Sequence, residues 1–514
     1  MSSARVNDDA SRRPAASAGP RRPRLPARRA AWAMLVAGAV AGCTLGPDYK
    51  RPAVTLPETF RPVEVDAADV ANTDWWQAFG DPDLDRLVQA VLDANKDLLV
   101  ATLRVAEFDA RLKISESAKY AQVGYTAAAE RRRYSEEQPT GAGGLQSGVG
   151  PIINNFAFGG IFSWELDLWG RVRRANEAAL AEMLSSEEAK RGVMLTVVSN
   201  AAAGYVQLLE LDRQLALGRQ MLKNREDALA LMQTKYEGGS ATRLGVEQAR
   251  SVVEAQIAEL AVTERDISRL ENALSALMGR NPGPVERRKL DELAVVALPT
   301  GVPADLLTRR PDVLAAEQDL VAANARIGVA MTRAYPTLSL GAALGQASDS
   351  TRWLFAETAK TGVLGAVFSG PLFDGGRNEA EVKQAEAVQK QMSVRYERTV
   401  QTALTEVDDA LVTRSKSGQR ESAMRRRVAA TEEIGRLSRV RYEGGQATYM
   451  EVLDADMMVF EAQGREAQSR RDTLLAMIGV YKAMGGGWMV EQERRRAPPV
   501  AEQALTEIES RAQP

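Results

Sequence analysis

Seven residues, Tyr236-Glu237-Gly238-Gly239-Ser240-Ala241-Thr242, return as Tyr442-Glu443-Gly444-Gly445-Gln446-Ala447-Thr448, an offset of 206. The same offset carries Phe162-Ser163 onto Phe368-Ser369 and Gly170-Arg171 onto Gly376-Arg377. Further upstream, Asp97, Ala110-Arg111 and Tyr120 match Asp312, Ala325-Arg326 and Tyr335 at an offset of 215. The first copy therefore has nine more residues to lose between Tyr120 and Phe162, which predicts a longer loop there. Solenoid repeats run to about 20 to 50 residues, so a period of this size describes a duplicated half-structure instead.

Within each copy the hydrophobic period switches. No proline occurs between Pro151 and Pro282, or between Pro371 and Pro498. Met194, Val198, Ala201, Tyr205, Leu208, Leu211 and Leu215 recur at helical spacing, as do Tyr449, Leu453, Met457 and Phe460. That spacing predicts the seams of helical hairpins or coiled coils. The runs Arg171 to Tyr236 and Arg377 to Tyr442 are expected to form rods of roughly 100 Å. The Gly-Gly sites at 238-239 and 444-445 break them, because glycine adopts left-handed backbone cheaply.

Between the helical runs the period becomes two. Phe156, Phe158, Gly160, Phe162, Trp164, Leu166 and Leu168 alternate with Asn155, Ala157, Gly159, Ile161, Ser163, Glu165 and Asp167. One face is aromatic and the other mostly small or polar, as in an outer-membrane strand. The repeat partner offers Leu364, Ala366, Phe368 and Leu372, with Pro371 near the strand end. Companion strands are expected around 122–127 and 337–344. Membrane barrels start at about eight strands, and an open edge in hydrocarbon leaves amides unpaired. Four strands per chain thus require assembly, giving eight as a dimer or twelve as a trimer. The glycine-rich stretches Arg131 to Pro151 and Gln346 to Thr361 become loops at one barrel end.

Composition removes most chemistry. The 514 residues hold one cysteine and no histidine. The usual histidine and thiolate zinc sites, disulfide frameworks and His-dependent triads are thereby excluded. No GxxxxGK[ST] phosphate loop is present, so the chain is expected to be no enzyme and to need no cofactor or metal. A formal charge of -2 carries no signature of nucleic-acid binding.

The N-terminus reads as an address. Met1 to Arg29 contains eight arginines, and an apolar run of eleven residues, Ala30 to Val40, follows. That run suits a signal-peptide core and is too short to span a bilayer. Val40-Ala41-Gly42-Cys43 resembles a bacterial lipobox, which makes Cys43 the acylated first residue of the mature protein. Thr44 in the second position implies transfer to the outer membrane. No other stretch reaches 18 consecutive apolar residues, so any crossing must be made by strands.

Four further stretches make a resemblance specific: Asp74-Trp75-Trp76-Gln77-Ala78-Phe79-Gly80-Asp81-Pro82, Leu306-Leu307-Thr308-Arg309-Arg310-Pro311-Asp312, Pro371-Leu372-Phe373-Asp374-Gly375-Gly376 and Tyr481-Lys482-Ala483-Met484-Gly485-Gly486-Gly487-Trp488. Over nearly all of Cys43 to Trp488 the chain resembles outer-membrane efflux proteins of the TolC superfamily, in the lipoprotein branch serving RND-type multidrug pumps. The resemblance implies an α+β membrane protein. Its homotrimer has one shared twelve-stranded β-barrel above a long periplasmic α-helical barrel. The corresponding organisation is a signal peptide at 1-42, a lipidated segment at 43-81 and a first repeat at 82-281. An equatorial linker at 282-310, a second repeat at 311-484 and a C-terminal equatorial segment at 485-514 complete it.

The implied function is a passive exit duct for antibiotics and other small toxic compounds. Its partners are an inner-membrane RND pump, a periplasmic adaptor and outer-membrane lipid, with no nucleic acid. Alternatives are an exit duct for type I protein secretion or metal cations, or a coiled-coil lipoprotein that links membranes without conducting. Two sites follow. Gly238, Gly239, Ser240, Gly444, Gly445 and Gln446 mark hairpin tips that would dock the adaptor. At the 206 offset Leu244 pairs with Met450 and Gln248 with Asp454, so an acid stands at that position in the second hairpin alone. The resemblance assigns Met450 and Asp454 to the periplasmic aperture, with Asp456 close enough to share the role.

Overall fold

The computed structural model describes residues 44–53, 67–68, 74–135, 152–294, 298–299 and 306–485. Cys43 and the signal peptide lie outside them, as do most of the loop between the first two strands and the chain after Gly485.

Two short helices, α1 (Pro82–Ala94) and α2 (Lys96–Ser117), lead to strands β1 (Gln122–Arg133) and β2 (Ile152–Leu166). A long hairpin follows, α3 (Arg171–Glu237) with α4 (Arg243–Leu277). The second copy repeats the order: α5 (Pro311–Thr332), β3 (Thr337–Ser348), β4 (Lys360–Ser369), α6 (Arg377–Glu443) and α7 (Tyr449–Ala483). The two long helices have 67 residues each and their return helices 35 each, so the expected rods and the duplication both hold. The most apolar 18-residue window of α3 has a mean hydropathy of 1.4 and is 61% buried, so it serves the protein core.

The strands form one antiparallel meander, β1-β2-β3-β4, with Tyr125 opposite Gly160, Phe162 opposite Ala342 and Leu340 opposite Ala366. Residues directly opposite share a face. Val123, Tyr125, Phe158, Phe162, Trp164, Leu340, Leu364 and Phe368 therefore project from the same side. Among the described residues, β1 and β4 each have one unpaired edge.

The ends of the strands differ from expectation. Leu168 is outside β2, because Asp167 turns away to accept hydrogen bonds from the amides of Val172 and Arg173 at the start of α3. Pro371 and Leu372 lie beyond β4, where Asp374 accepts from the amides of Gly376 and Asn378. A carboxylate at a helix N-terminus satisfies orphan amides and opposes the helix dipole. At the other end, β1 continues through Arg133 and β3 through Ser348, so the outer loops are shorter than the sequence suggested.

The main core gathers where the helices of different length meet. Trp75 stacks on Tyr481 with centroids 5.2 Å apart and an interplanar angle of 11°. Around it pack Phe79, Leu84, Val198, Tyr205, Leu274 and Leu474, all within 1% of full burial. The expected seam in α3 is buried from Met194 to Leu208. Tyr205 donates to Asp81 at 2.6 Å, while Asp81 also caps α1 by accepting from the amide of Asp83. Burial and this acceptor keep the Tyr205 phenol protonated well above its ordinary range.

Helices are stacked end to end at this level. Asn95 accepts from the amide of Leu98 at 3.0 Å, capping α2, and donates to the carbonyl of Leu277, the last residue of α4, at 2.9 Å. In the second copy Arg310 donates to Asp312 in the first turn of α5 and to the carbonyl of Ala483, the last residue of α7, at 2.8 Å. It also reaches Glu406 of α6 at 2.6 Å.

The N-terminal segment binds the two copies together. The Arg174 guanidinium donates to the carbonyls of Leu45 and Gly46 and to Asp48. Arg51 forms a forked pair with Glu317 at 2.6 and 2.7 Å, and Asn324 donates to the carbonyl of Pro47. A Cβ on Gly46 would meet the Gly328 Cα at 2.5 Å, so the strap presses on α5 backbone to backbone.

Candidate functional site

Each long hairpin turns within five residues, 238–242 and 444–448. After α3 the chain closes with the Ser240 amide donating to the Lys235 carbonyl at 2.8 Å, and Gly239 sits at φ +73°. After α6 the Gln446 amide donates to the Arg441 carbonyl at 2.8 Å, and Gly445 sits at φ +70°. Only the second glycine of each pair is left-handed. Gly238 and Gly444 have φ of -80° and -78°, which any residue adopts. The return helices start on threonine caps. Thr242 accepts from the Gly245 amide, whereas Thr448 forms a reciprocal capping box with Glu451. All six tip residues, Gly238, Gly239, Ser240, Gly444, Gly445 and Gln446, are exposed.

Met450 and Asp454 lie one turn apart on α7 just beyond the second tip, and both are exposed. They border a cavity of about 280 Å³ between α7 and the first hairpin. Its other walls include Met221, Arg225 and Met232 of α3, Val252 of α4, and Met457 and Phe460 of α7. The expected seam Tyr449, Leu453, Met457 and Phe460 is therefore not a buried core stripe. Val452 and Ala455 take the buried positions, and Met457 remains 49% exposed. Sequence periodicity marks an apolar face without saying whether a neighbour covers it.

Asp456 differs from Asp454. It accepts from Arg439 of α6 at 2.6 Å, and its side chain is only 16% exposed. This pairing ties the two arms of the second hairpin and removes Asp456 from the free acids at the tip. Burial, followed by the nearby Asp456 carboxylate, raises the Tyr449 phenol above its ordinary pKa. Arg225 of the first hairpin donates to the Val252 carbonyl and to Gln256, and burial lowers its pKa. Neither Arg225 nor the Arg439–Asp456 link was read from sequence. An arginine and an aspartate on opposite arms of one hairpin were the available signal for the second.

Cys43 lies outside the described residues, but the residues that follow it are placed at the opposite end of α3. The Leu45 amide donates to the Trp169 carbonyl at 3.1 Å, and Thr44 contacts Gly170, where β2 passes into α3. Among the described residues no cluster of acids, histidines or cysteines is suited to hold a metal ion.

A four-stranded sheet with free edges, joined to two equal helical hairpins, defines a class of membrane duct. The profile of the family described as "Outer membrane efflux protein" matches residues 87–280 and 302–486. The chain belongs to this family, whose members are transport ducts and not enzymes. Its fold class is a trimeric β-barrel continuous with an α-helical barrel, and it resides in the outer membrane.

The cation efflux system protein CusC of Escherichia coli O157:H7 is 32% identical over 461 residues, covering 88% of this chain and 97% of that one. The solvent efflux pump outer membrane protein SrpC of Pseudomonas putida is 33% identical over 473 residues, covering 90% and 98%. Among solved structures, the open state of the Neisseria gonorrhoeae MtrE outer membrane channel superposes with a TM-score of 0.77 at 27% identity. That match covers 87% of this chain and 99% of that one.

Proposed function

We propose that the chain is the passive outer-membrane duct of a tripartite pump that expels antibiotics and other small toxic compounds. A homotrimer closes the barrel through the free edges of β1 and β4. The tips at Gly238-Gly239-Ser240 and Gly444-Gly445-Gln446 meet the hairpins of a periplasmic adaptor, and an inner-membrane RND pump supplies the energy. Cys43 is acylated, and its neighbour's contact with Gly170 supports an anchor at the inner rim of the barrel. The observation that carries the reading is Asp454. It is exposed on the second hairpin, it has no counterpart on the first, and threefold symmetry makes it a ring of three carboxylates. Such a ring attracts cations and narrows the mouth, with Met450 as a flexible apolar collar.

Single-channel recording of purified trimers in planar bilayers tests this. Asp454→Ala is expected to raise conductance and weaken cation preference, while Asp408→Ala in mid-rod leaves both unchanged. Trimers that never conduct, in any tip variant, would overturn the duct. A second reading, metal-cation efflux, is favoured by the 32% identity to a cation efflux protein. Deleting the gene and comparing susceptibility to antibiotics and to metal salts separates the two.

A further inference from the structure

The outer end of the sheet carries a charge pattern that conduction does not use. Helices enter and leave at the Gln122 end of β1, so Arg133 marks the end farthest from them. Arg131 and Arg133 share the side that bears Val123 and Tyr125, because they stand opposite Asn154 and Ile152 in β2. On that apolar side they lie about 21 and 26 Å above Val123, taking roughly 3.4 Å per residue and a tilt of about 40°. The lipid-facing band of such barrels is about 25 Å tall, which puts both arginines where headgroups of the outer leaflet begin.

Arg132, between them, points to the other side and pairs with Glu130 at 2.6 Å. Arg131 and Arg133 are exposed and form no ion pair among the described residues. On the opposite edge of the sheet, Lys360 opens β4 at the same end and faces the same apolar side, through Gln346 and Phe158. Among the described residues it pairs with Glu357 at 2.5 Å, an exposed pair of little net worth. Closing the barrel sets β4 of one protomer beside β1 of the next, so each seam gathers cations from two chains at the outer rim.

We propose that Arg131 and Arg133 of one protomer, with Lys360 of its neighbour, bind the phosphates of an outer-leaflet lipopolysaccharide at each seam. The proposal rests on the trimeric outer-membrane reading. Guanidinium forks match phosphate oxygens, and three cations around one headgroup complement its charge.

The test uses full-length trimers in phosphatidylcholine nanodiscs titrated with deep-rough lipopolysaccharide, with bound lipid counted by native mass spectrometry. Taking about 1 kcal/mol for each cation near an anionic surface, R131Q, R133Q or K360Q should each weaken binding about fivefold and R131Q/R133Q about 25-fold. R132Q should bind as wild type, and R131K/R133K should retain most of the affinity. Enzymatically dephosphorylated lipopolysaccharide should bind no better to wild type than to the double variant. Equal affinity in wild type and the double variant would mean that the arginines only reach for water. An equal loss in R132Q, or equal binding of phosphatidylglycerol, would reduce the effect to general surface charge. Either result overturns the site. Conductance of the same samples is expected to be unchanged; its absence in wild type would instead sink the duct reading.

Discussion

Asn95 and Arg310 stand 215 residues apart and do one job in the two repeats. Each ties the final carbonyl of a returning helix, Leu277 or Ala483, to the first turn of the helix stacked upon it. The two carbonyls are themselves 206 residues apart, so the duplication extends to the partner atoms. The chemistry has diverged. The amide in the first repeat joins two helix ends, whereas the guanidinium in the second adds a third helix through Glu406.

Asn95→Ala should therefore cost about 1 kcal/mol, the usual worth of a cap. Arg310→Ala should cost more, about 2 kcal/mol, because a buried cation leaves partners that water reaches only in part. The temperature at which trimers dissociate in detergent gels would rank the two. A larger effect at Asn95 would show that the third helix adds nothing.

Glu210 predicts a pH dependence. Its side chain is 1% exposed, and burial raises its pKa against the opposing pull of Arg471 at 3.3 Å. A carboxyl whose folded pKa exceeds its unfolded one stabilises the fold at acid pH and loses that contribution as pH rises through the folded value. Relative to Glu210→Gln, the wild type should gain stability as the pH is lowered from 7 towards 4. Urea midpoints that keep a constant gap across that range would contradict it.

The two acids near the second tip should separate by assay. Asp456→Asn breaks the link to Arg439 and should destabilise the hairpin by under about 1 kcal/mol, since the pair is half-exposed. Its conductance should stay near wild type, the reverse of Asp454→Ala. A conductance rise in Asp456→Asn equal to that of Asp454→Ala would place both acids on the conduction path.

Gly328→Ala should loosen the N-terminal strap. A Cβ there would stand 2.7 Å from the Leu45 carbonyl and 2.8 Å from the Arg174 side chain. Overpacking of this kind costs about 1 to 3 kcal/mol. Faster proteolysis within residues 44–53, with trimers still present, is the expected result.

Much of this architecture was legible because it is periodic. The duplication, the 67-residue rods and the Gly-Gly turns follow from spacing alone. Strand ends were misread at Leu168 and Leu372, where a nearby aspartate prefers helix amides and stops the ladder. Asn95 looks from sequence like an ordinary cap, because its second partner lies 182 residues away. At the tip, comparing the repeats singled out Asp454 against Gln248, and the resemblance assigned it to an aperture with Met450. The Asp456 pair with Arg439 was not, because alternation and spacing carry no information about which acids meet a cation in space.

The matched helices, 67 with 67 and 35 with 35, act as a length standard. Inserting one residue into a rod lengthens it by about 1.5 Å and turns everything beyond it by about 100°. Whole heptads, near 10.5 Å, come close to restoring the phase, and they must enter both arms of both hairpins together. The reach of this protein into its compartment is thus quantised, and a cell that widens that gap must change it in steps instead of by degrees.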